Sequence, residues 1–293
     1  MNLALTVLEI VAPVFLLGGI GYAWVKLGFE YRIEFVTRLA MTIAVPALIF
    51  VALMQTDIAP DALTTVFFAT IVTYGLITLA CYLLVKTGRL EVRTYLAPLI
   101  FGNTGNLGLP LALFAFGADG LGYAVVIFAM MGIYSFTYGV WLVSGGGNLR
   151  KVVQEPLVGA TLLGALFLWQ GWETPTFLTN TIELIGQMAI PLMLITLGVA
   201  VARLKPSALG QAIWLSGIKV ILCAAAAWAA GTYFELPDVA LAVLILQATT
   251  PVAVTSYLLA AKYEADAEPV AGLVVVSTVM SVGFIPLILA FLV

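Results

Sequence analysis

The sequence predicts an all-α membrane protein with ten transmembrane helices. They form two inverted five-helix repeats in which broken helices 4 and 9 cross near the bilayer midplane. Three observations carry this. Of the 293 residues, 63% are hydrophobic and 9% charged, with mean hydropathy +1.14, whereas soluble domains are about one quarter charged. Apolar runs of roughly 17–27 residues, long enough to cross a bilayer, recur between charged or Gly/Pro-rich breaks. Finally, proline-marked segments of the first half return in the second at a nearly constant offset.

Taken in order, the predicted spans cover 4–25, 36–54, 61–85, 94–116, 120–143, 156–170, 176–201, 207–233, 238–261 and 268–292. The first has no basic segment before it and reads as a membrane helix, not a cleaved leader. The sixth is the shortest. Basic residues set the orientation. Lys26, Arg32 and Arg38 flank loop 1–2, and Lys86, Arg89 and Arg93 flank loop 3–4. Arg150 and Lys151 lie in loop 5–6, Arg203 and Lys205 in loop 7–8, and Lys262 at loop 9–10. The other loops carry none, so these charges share one side, expected to be cytoplasmic. Both termini are then outside a cell inner (plasma) membrane.

The repeat is read from paired features. Pro46 and Pro191 stand 145 residues apart in similar apolar settings. Pro60-Asp-Ala-Leu and Pro206-Ser-Ala-Leu are 146 apart, Pro110 and Pro251 are 141 apart, and Ala118-Asp119 and Ala265-Asp266 are 147 apart. The predicted units are residues 1–143, a cytoplasmic linker at 144–155, and residues 156–293. An odd number of helices per unit gives the two units opposite orientation.

The segment Asn103-Thr-Gly-Asn-Leu-Gly-Leu-Pro110 falls at the centre of the fourth span. Glycines at 102, 105 and 108 with Pro110 predict unwinding near Gly105–Pro110. Broken backbone at that depth is tolerated only within protein or beside a water-filled cavity. The ninth span offers Gln247-Ala-Thr-Thr-Pro-Val-Ala-Val-Thr255, predicting a second break at Thr249–Pro251. Each proline suits the first turn of a new half-helix, where a missing N–H costs nothing. Two half-helix N-termini, each with roughly +0.5 charge, would then face one place that favours an anion. Asn103, Thr104, Asn106, Pro110, Thr249, Thr250, Pro251, Pro46 and Pro191 are the predicted substrate-binding residues. Asn103, Gln247, Thr249 and Lys219 are the predicted ion-coupling residues, with a Na⁺ site placed near Asn103, Thr104 and Gln247. Pro13, Pro98, Pro156 and Pro286 read as ordinary kinks.

Lys219 lies near the middle of the eighth span, and an intramembrane lysine marks function by default. It either acts on the anion or the coupling cation, or is a structural charge tied to carbonyls of the broken helices. Glu183 and Glu9 are shallow, and no carboxylate stands beside the crossover. That favours Na⁺ coupling or facilitated transport over H⁺ coupling. The chain has no histidine, which removes His-based metal sites, triads and proton relays. Cys81 and Cys223 fall in apolar runs and read as small buried side chains. No catalytic residue, cofactor or nucleic-acid contact is predicted.

Gly102-Asn-Thr-Gly-Asn-Leu-Gly-Leu-Pro110 resembles the span-4 crossover of the auxin efflux carrier family. Ala189-Ile-Pro-Leu-Met-Leu-Ile-Thr-Leu-Gly198 is similar to its span-7 signature, and Thr250-Pro-Val-Ala-Val, Lys262-Tyr263 and Lys219 are also similar. The resemblance covers essentially the whole chain. It implies a fold related to bile acid:sodium symporters and sodium/proton antiporters. Spans 1, 2, 6 and 7 would form a scaffold, and spans 3–5 and 8–10 a moving domain. It further implies a homodimer, and a short prokaryotic member whose relatives handle organic acids such as malate and malonate. The loop of about a dozen residues between spans 5 and 6 lacks the plant regulatory region. Thr249-Thr250 stands where an asparagine often precedes the proline in plant members. The function expected is secondary transport of a small organic anion, with Na⁺ as coupling ion. The alternatives are H⁺-coupled or uncoupled efflux of an organic acid, or an anion channel.

Overall fold

The computed structural model describes residues 3–144, 156–204 and 208–292, and all of its described regular elements are helices. Residues 145–155 of the predicted linker, with Arg150 and Lys151, and also Lys205 and Pro206, fall outside these residues, while Ser144 closes the last helix of the first half. Helix α1 is Leu3–Lys26. Next come α2, Ile33–Leu39, and α3, Val45–Met54, joined by a wide π turn at Ala40–Ala44. That turn has a local cause. Pro46 has no N–H to donate back along the helix, and a wider turn absorbs the missing bond. Helix α4 is Pro60–Thr87 and α5 is Val92–Ile100. A π turn at Thr104–Gly108 runs into α6, Leu109–Tyr134, and a third at Ser135–Gly139 leads to α7, Val140–Ser144. The second half comprises α8 (Pro156–Gln170), α9 (Thr176–Gln187), α10 (Ala189–Arg203), α11 (Leu209–Tyr233), α12 (Asp238–Ala248), α13 (Val254–Lys262) and α14 (Ala267–Leu292).

Seven helical runs among the described residues are long and apolar enough to cross a membrane. The sequence predicts ten spans, and the difference has physical causes. The predicted fourth and ninth spans are split into pieces too short to count. The sixth is a helix of 15 residues. Thr104–Ser144 runs on for 41 residues but contains Gly117 at φ 65°, ψ −151°. That left-handed conformation is open to glycine at little cost, and it turns the chain between two helices.

Packing sorts the helices. Helix α1 lies along α10, and α3 lies against α8 and α9. Helix α4 packs on α11, α5 and α6, while α11 also packs on α12 and α14. The α1–α10 contact is backbone to backbone. A Cβ on Gly198 would stand 1.8 Å from the Gly18 carbonyl oxygen, and one on Gly21 2.0 Å from that of Ile195. Helix ends are tied as well. Arg93 donates from Nε to the Val143 carbonyl and from Nη2 to that of Tyr263, each at 2.7 Å. Past the end of α3, Gln55 donates Nε2 to Glu183 of α9 at 2.6 Å, and at the opposite ends of these two helical runs Arg203 donates Nη2 to the Tyr31 carbonyl at 2.5 Å.

Candidate functional site

The two interrupted helices meet at their interruptions. Gly102 and Val252 form an antiparallel bridge. The Asn103 N–H reaches the Pro251 carbonyl at 2.7 Å, and the Ala253 N–H reaches that of Phe101 at 3.3 Å. Buried backbone groups must find partners, and every backbone N–H of the second break has one. Thr249 and Thr250 donate to Ile245 and Gln247. Pro251 has nothing to donate, Val252 donates to Ser277 Oγ at 3.0 Å, and Ala253 donates across the crossing. Gly102 permits this approach, because a Cβ there would stand 2.3 Å from Thr250 Oγ1.

The first break is not where glycine and proline content predicts it, whereas the second includes the predicted Thr249–Pro251. The first spans Phe101–Asn103, ahead of Gly105–Pro110, and the second spans Thr249–Ala253. Gly105 and Gly108 lie inside the π turn and serve close packing. A Cβ on Gly105 would meet the Phe128 ring at 2.9 Å, and one on Gly108 the Gln247 Oε1 at 2.1 Å. Pro110 does occupy the first turn of α6. Pro251 does not start a half-helix, since α13 begins at Val254. Its place is in the crossing itself, where its carbonyl accepts from Asn103.

A cavity of about 220 Å³ opens beside the crossing. Gly102, Asn103, Gly105 and Asn106 line it from one break, and Ala253, Val254 and Thr255 from the other. The first turns of both half-helices therefore face it, with the electropositive end of each. Asn103 Oδ1 accepts the Asn106 N–H at 3.3 Å, capping its own half-helix. The opposite wall is Ile33, Thr37 and Met41 from the α2 run and Thr196 and Ala200 from α10, with Phe128 and Met131 of α6 completing it. Of the predicted substrate residues, Asn103 and Asn106 line the cavity. Thr104, Pro110, Thr249, Thr250, Pro251, Pro46 and Pro191 are not among its lining residues. Thr37, Met41, Thr196 and Thr255 line it without having been singled out. Thr196 stands in the span-7 signature and Thr255 closes the Gln247–Thr255 segment, so both were within reach. Thr37 gave no signal.

Behind the crossing the polar groups divide into satisfied and orphaned. Thr249 Oγ1 bonds back to the Ile245 carbonyl at 2.8 Å and Thr250 Oγ1 to that of Gln247 at 2.7 Å. Lys219 is 1% exposed and donates Nζ to the Thr250 carbonyl at 2.8 Å. Thr104 Oγ1, Asn103 Nδ2 and both amide atoms of Gln247 are buried and have no hydrogen-bond partner among the described residues. Such orphans in a native fold call for an explanation, an ion or water among them. Cys81 and Cys223 are buried free thiols. No group of three or more His, Cys, Asp or Glu that could hold a metal is found among the described residues.

A family model described as membrane transport protein matches residues 6–155 and again 140–289. An uncharacterized transporter of Methanothermobacter thermautotrophicus is 26% identical over 294 residues, covering 95% of this chain and 96% of that protein. An uncharacterized transporter of Methanocaldococcus jannaschii is 25% identical over 205 residues, 64% of each chain.

Proposed function

This chain belongs to the membrane transport protein family, the one its crossover motif resembles, and from that premise we propose that it is a secondary transporter of a small organic carboxylate. It is an integral membrane protein and a transporter, not an enzyme. The observation that carries the substrate class is the cavity at the crossing. Two half-helix N-termini face it with two asparagine side chains, and no carboxylate is among its lining residues. That arrangement suits a small anion and repels few.

The proposed topology is ten spans in two inverted repeats, with both termini outside the plasma membrane. The tied ends of the Arg93, Gln55 and Arg203 contacts support the alternation of sides. Helices α1–α3 and α8–α10 are the proposed scaffold, and α4–α7 and α11–α14 the proposed moving domain. The cavity is walled by both groups, so sliding one along the other would carry a bound anion across, as in an elevator. A homodimer through the scaffold completes this reading.

For coupling, the proposed ion is Na⁺. The orphaned oxygens of Thr104 and Gln247 fit a hard monovalent cation, which prefers oxygen ligands. Bound there, Na⁺ would supply positive charge behind the anion. A second reading, H⁺ coupling, is favoured by Lys219, a fully buried amine bonded to a carbonyl. Proteoliposome uptake of a panel of mono- and dicarboxylates, with and without a Na⁺ gradient, tests the proposal. Saturable uptake of one carboxylate, enhanced by inward Na⁺, is expected. Unitary currents in planar bilayers, without saturable uptake, would make the protein a channel instead.

A further inference from the structure

A second recess, of about 730 Å³, adjoins the cavity, and Ile33 and Leu258 line both. Its charged walls are Arg32, Arg38 and Arg203 against Glu30 and Glu34. Arg32 is spent on Glu30, at 2.8 Å. Glu34 lies four residues before Arg38 without pairing to it, so Arg38 and Arg203 outweigh it. Arg38 has no hydrogen bond or ion pair among the described residues, and its planar fork is free to take a carboxylate by two bonds.

Tyr31 lines the recess and reaches the cavity wall. Its carbonyl accepts from Arg203 on the vestibule side. Its hydroxyl shares a 2.7 Å hydrogen bond with Thr196 Oγ1, and Thr196 lines the cavity. Thr196 Oγ1 gives its own proton to the Leu192 carbonyl at 2.6 Å, which leaves the Tyr31 hydroxyl as the donor between them.

We propose that the Arg38–Arg203 vestibule is a reception site for a carboxylate anion ahead of the crossover cavity, with Tyr31 as the barrier between them. The proposal rests on the anion reading above. A concave, low-dielectric wall focuses the field of its charges and raises the local concentration of an oppositely charged ligand. A charged acceptor binds a guanidinium more strongly than a neutral carbonyl does. An arriving carboxylate therefore competes with Tyr31 for Arg203, and frees one of the two contacts that hold the barrier.

The test needs no known substrate. Thr37→Cys, in a Cys81→Ala/Cys223→Ala background, places a thiol in the cavity wall. The protein is held in phosphatidylcholine nanodiscs. Labelling rates are compared for an anionic (sulfonatoethyl) and a cationic (trimethylammonium-ethyl) methanethiosulfonate of similar size. A shift in the reactivity of the thiol itself cancels in the ratio. Arg38→Gln and Arg203→Gln should each lower the anionic-to-cationic ratio by about threefold or more, and Arg38→Lys should preserve it. Tyr31→Ala should raise both rates together. A ratio unmoved by either glutamine variant, or rates that fall in parallel in both, overturns the proposal. A ratio that collapses to the Arg38→Gln value when phosphatidylglycerol is added assigns the site to lipid phosphate and also overturns it. A carboxylate panel that fails in uptake would sink the transport reading and leave this labelling result to be judged by itself.

Discussion

Asn103 donates its backbone N–H to the carbonyl of Pro251 at 2.7 Å. The residue that heads one half-helix is thereby fixed by the proline that interrupts the other. Proline explains the polarity of this bond, having an acceptor and no donor. The register is then sealed by Gly102, whose hydrogen faces Thr250 Oγ1.

The first prediction follows from that contact. Gly102→Ala forces a methyl to within 2.3 Å of Thr250 Oγ1, and should cost about 1–3 kcal/mol as overpacking. Thr250→Ala removes the obstructing oxygen. The double variant should recover part of the loss, a favourable coupling of the kind expected for touching residues. Thermal melts of the four proteins in detergent measure this. Strictly additive effects would mean the crossing does not pack this way.

Asn103 and Asn106 should separate stability from transport. Asn103 caps its half-helix through Oδ1, so Asn103→Leu should lose about 1 kcal/mol of stability as well as transport. Asn106 lines the cavity, and no hydrogen bond of its side chain is found among the described residues. Asn106→Leu should abolish uptake at nearly unchanged melting temperature. Normal uptake by Asn106→Leu would remove the cavity from the transport path.

How much of this was legible before the structure depends on the residue. The all-helical membrane character and the meeting of two interrupted helices follow from apolar run lengths and from Asn103–Pro110 and Gln247–Thr255. The placement of the first break does not. Gly105 and Gly108 looked like helix breakers, yet their missing side chains admit Phe128 and Gln247, distant residues that no local pattern names. Pro110 and Pro251 looked equivalent at an offset of 141. The helices around them say otherwise: α5 and α12 begin at Val92 and Asp238 and end at Ile100 and Ala248, offsets of 146 and 148. One proline starts a helix and the other lies in the gap. Thr37 and Arg38 show the remaining limit, since a cavity wall is set by which helix packs opposite.

Gln247 gives a test of the coupling ion. Its amide is buried, lacks a partner among the described residues and rests on Gly108. A cation that completes it should stabilise the folded protein by mass action. The melting temperature should therefore be higher in sodium chloride than in choline chloride at equal ionic strength. Gln247→Leu should remove that difference while the protein remains folded, because an apolar side chain of similar size carries no buried amide to satisfy. Equal melting temperatures in the two salts for the parent would argue against a Na⁺ site here.

Lys219 is the last case, and its position decides between roles. Its ammonium lies behind the crossing, bonded to the Thr250 carbonyl, and it is not among the residues lining the cavity. An anion in the cavity therefore meets Lys219 only through the intervening backbone. Replacing it with glutamine keeps a donor for Thr250 but removes the positive charge from the region that holds the orphaned Thr104 and Gln247 oxygens. Carboxylate affinity at saturating Na⁺ should stay within about twofold of the parent, a difference of under roughly 0.5 kcal/mol. The Na⁺ concentration needed for half-maximal uptake should fall, because a competing positive charge is gone. Lys219→Met should melt lower than Lys219→Gln, by an amount corresponding to about 1–3 kcal/mol for the carbonyl left unpaired. Uptake titrated with Na⁺ at fixed carboxylate, beside melts of both variants, reads all three quantities. If carboxylate affinity drops tenfold in Lys219→Gln while the Na⁺ dependence is unchanged, the lysine serves the anion directly and the coupling role fails.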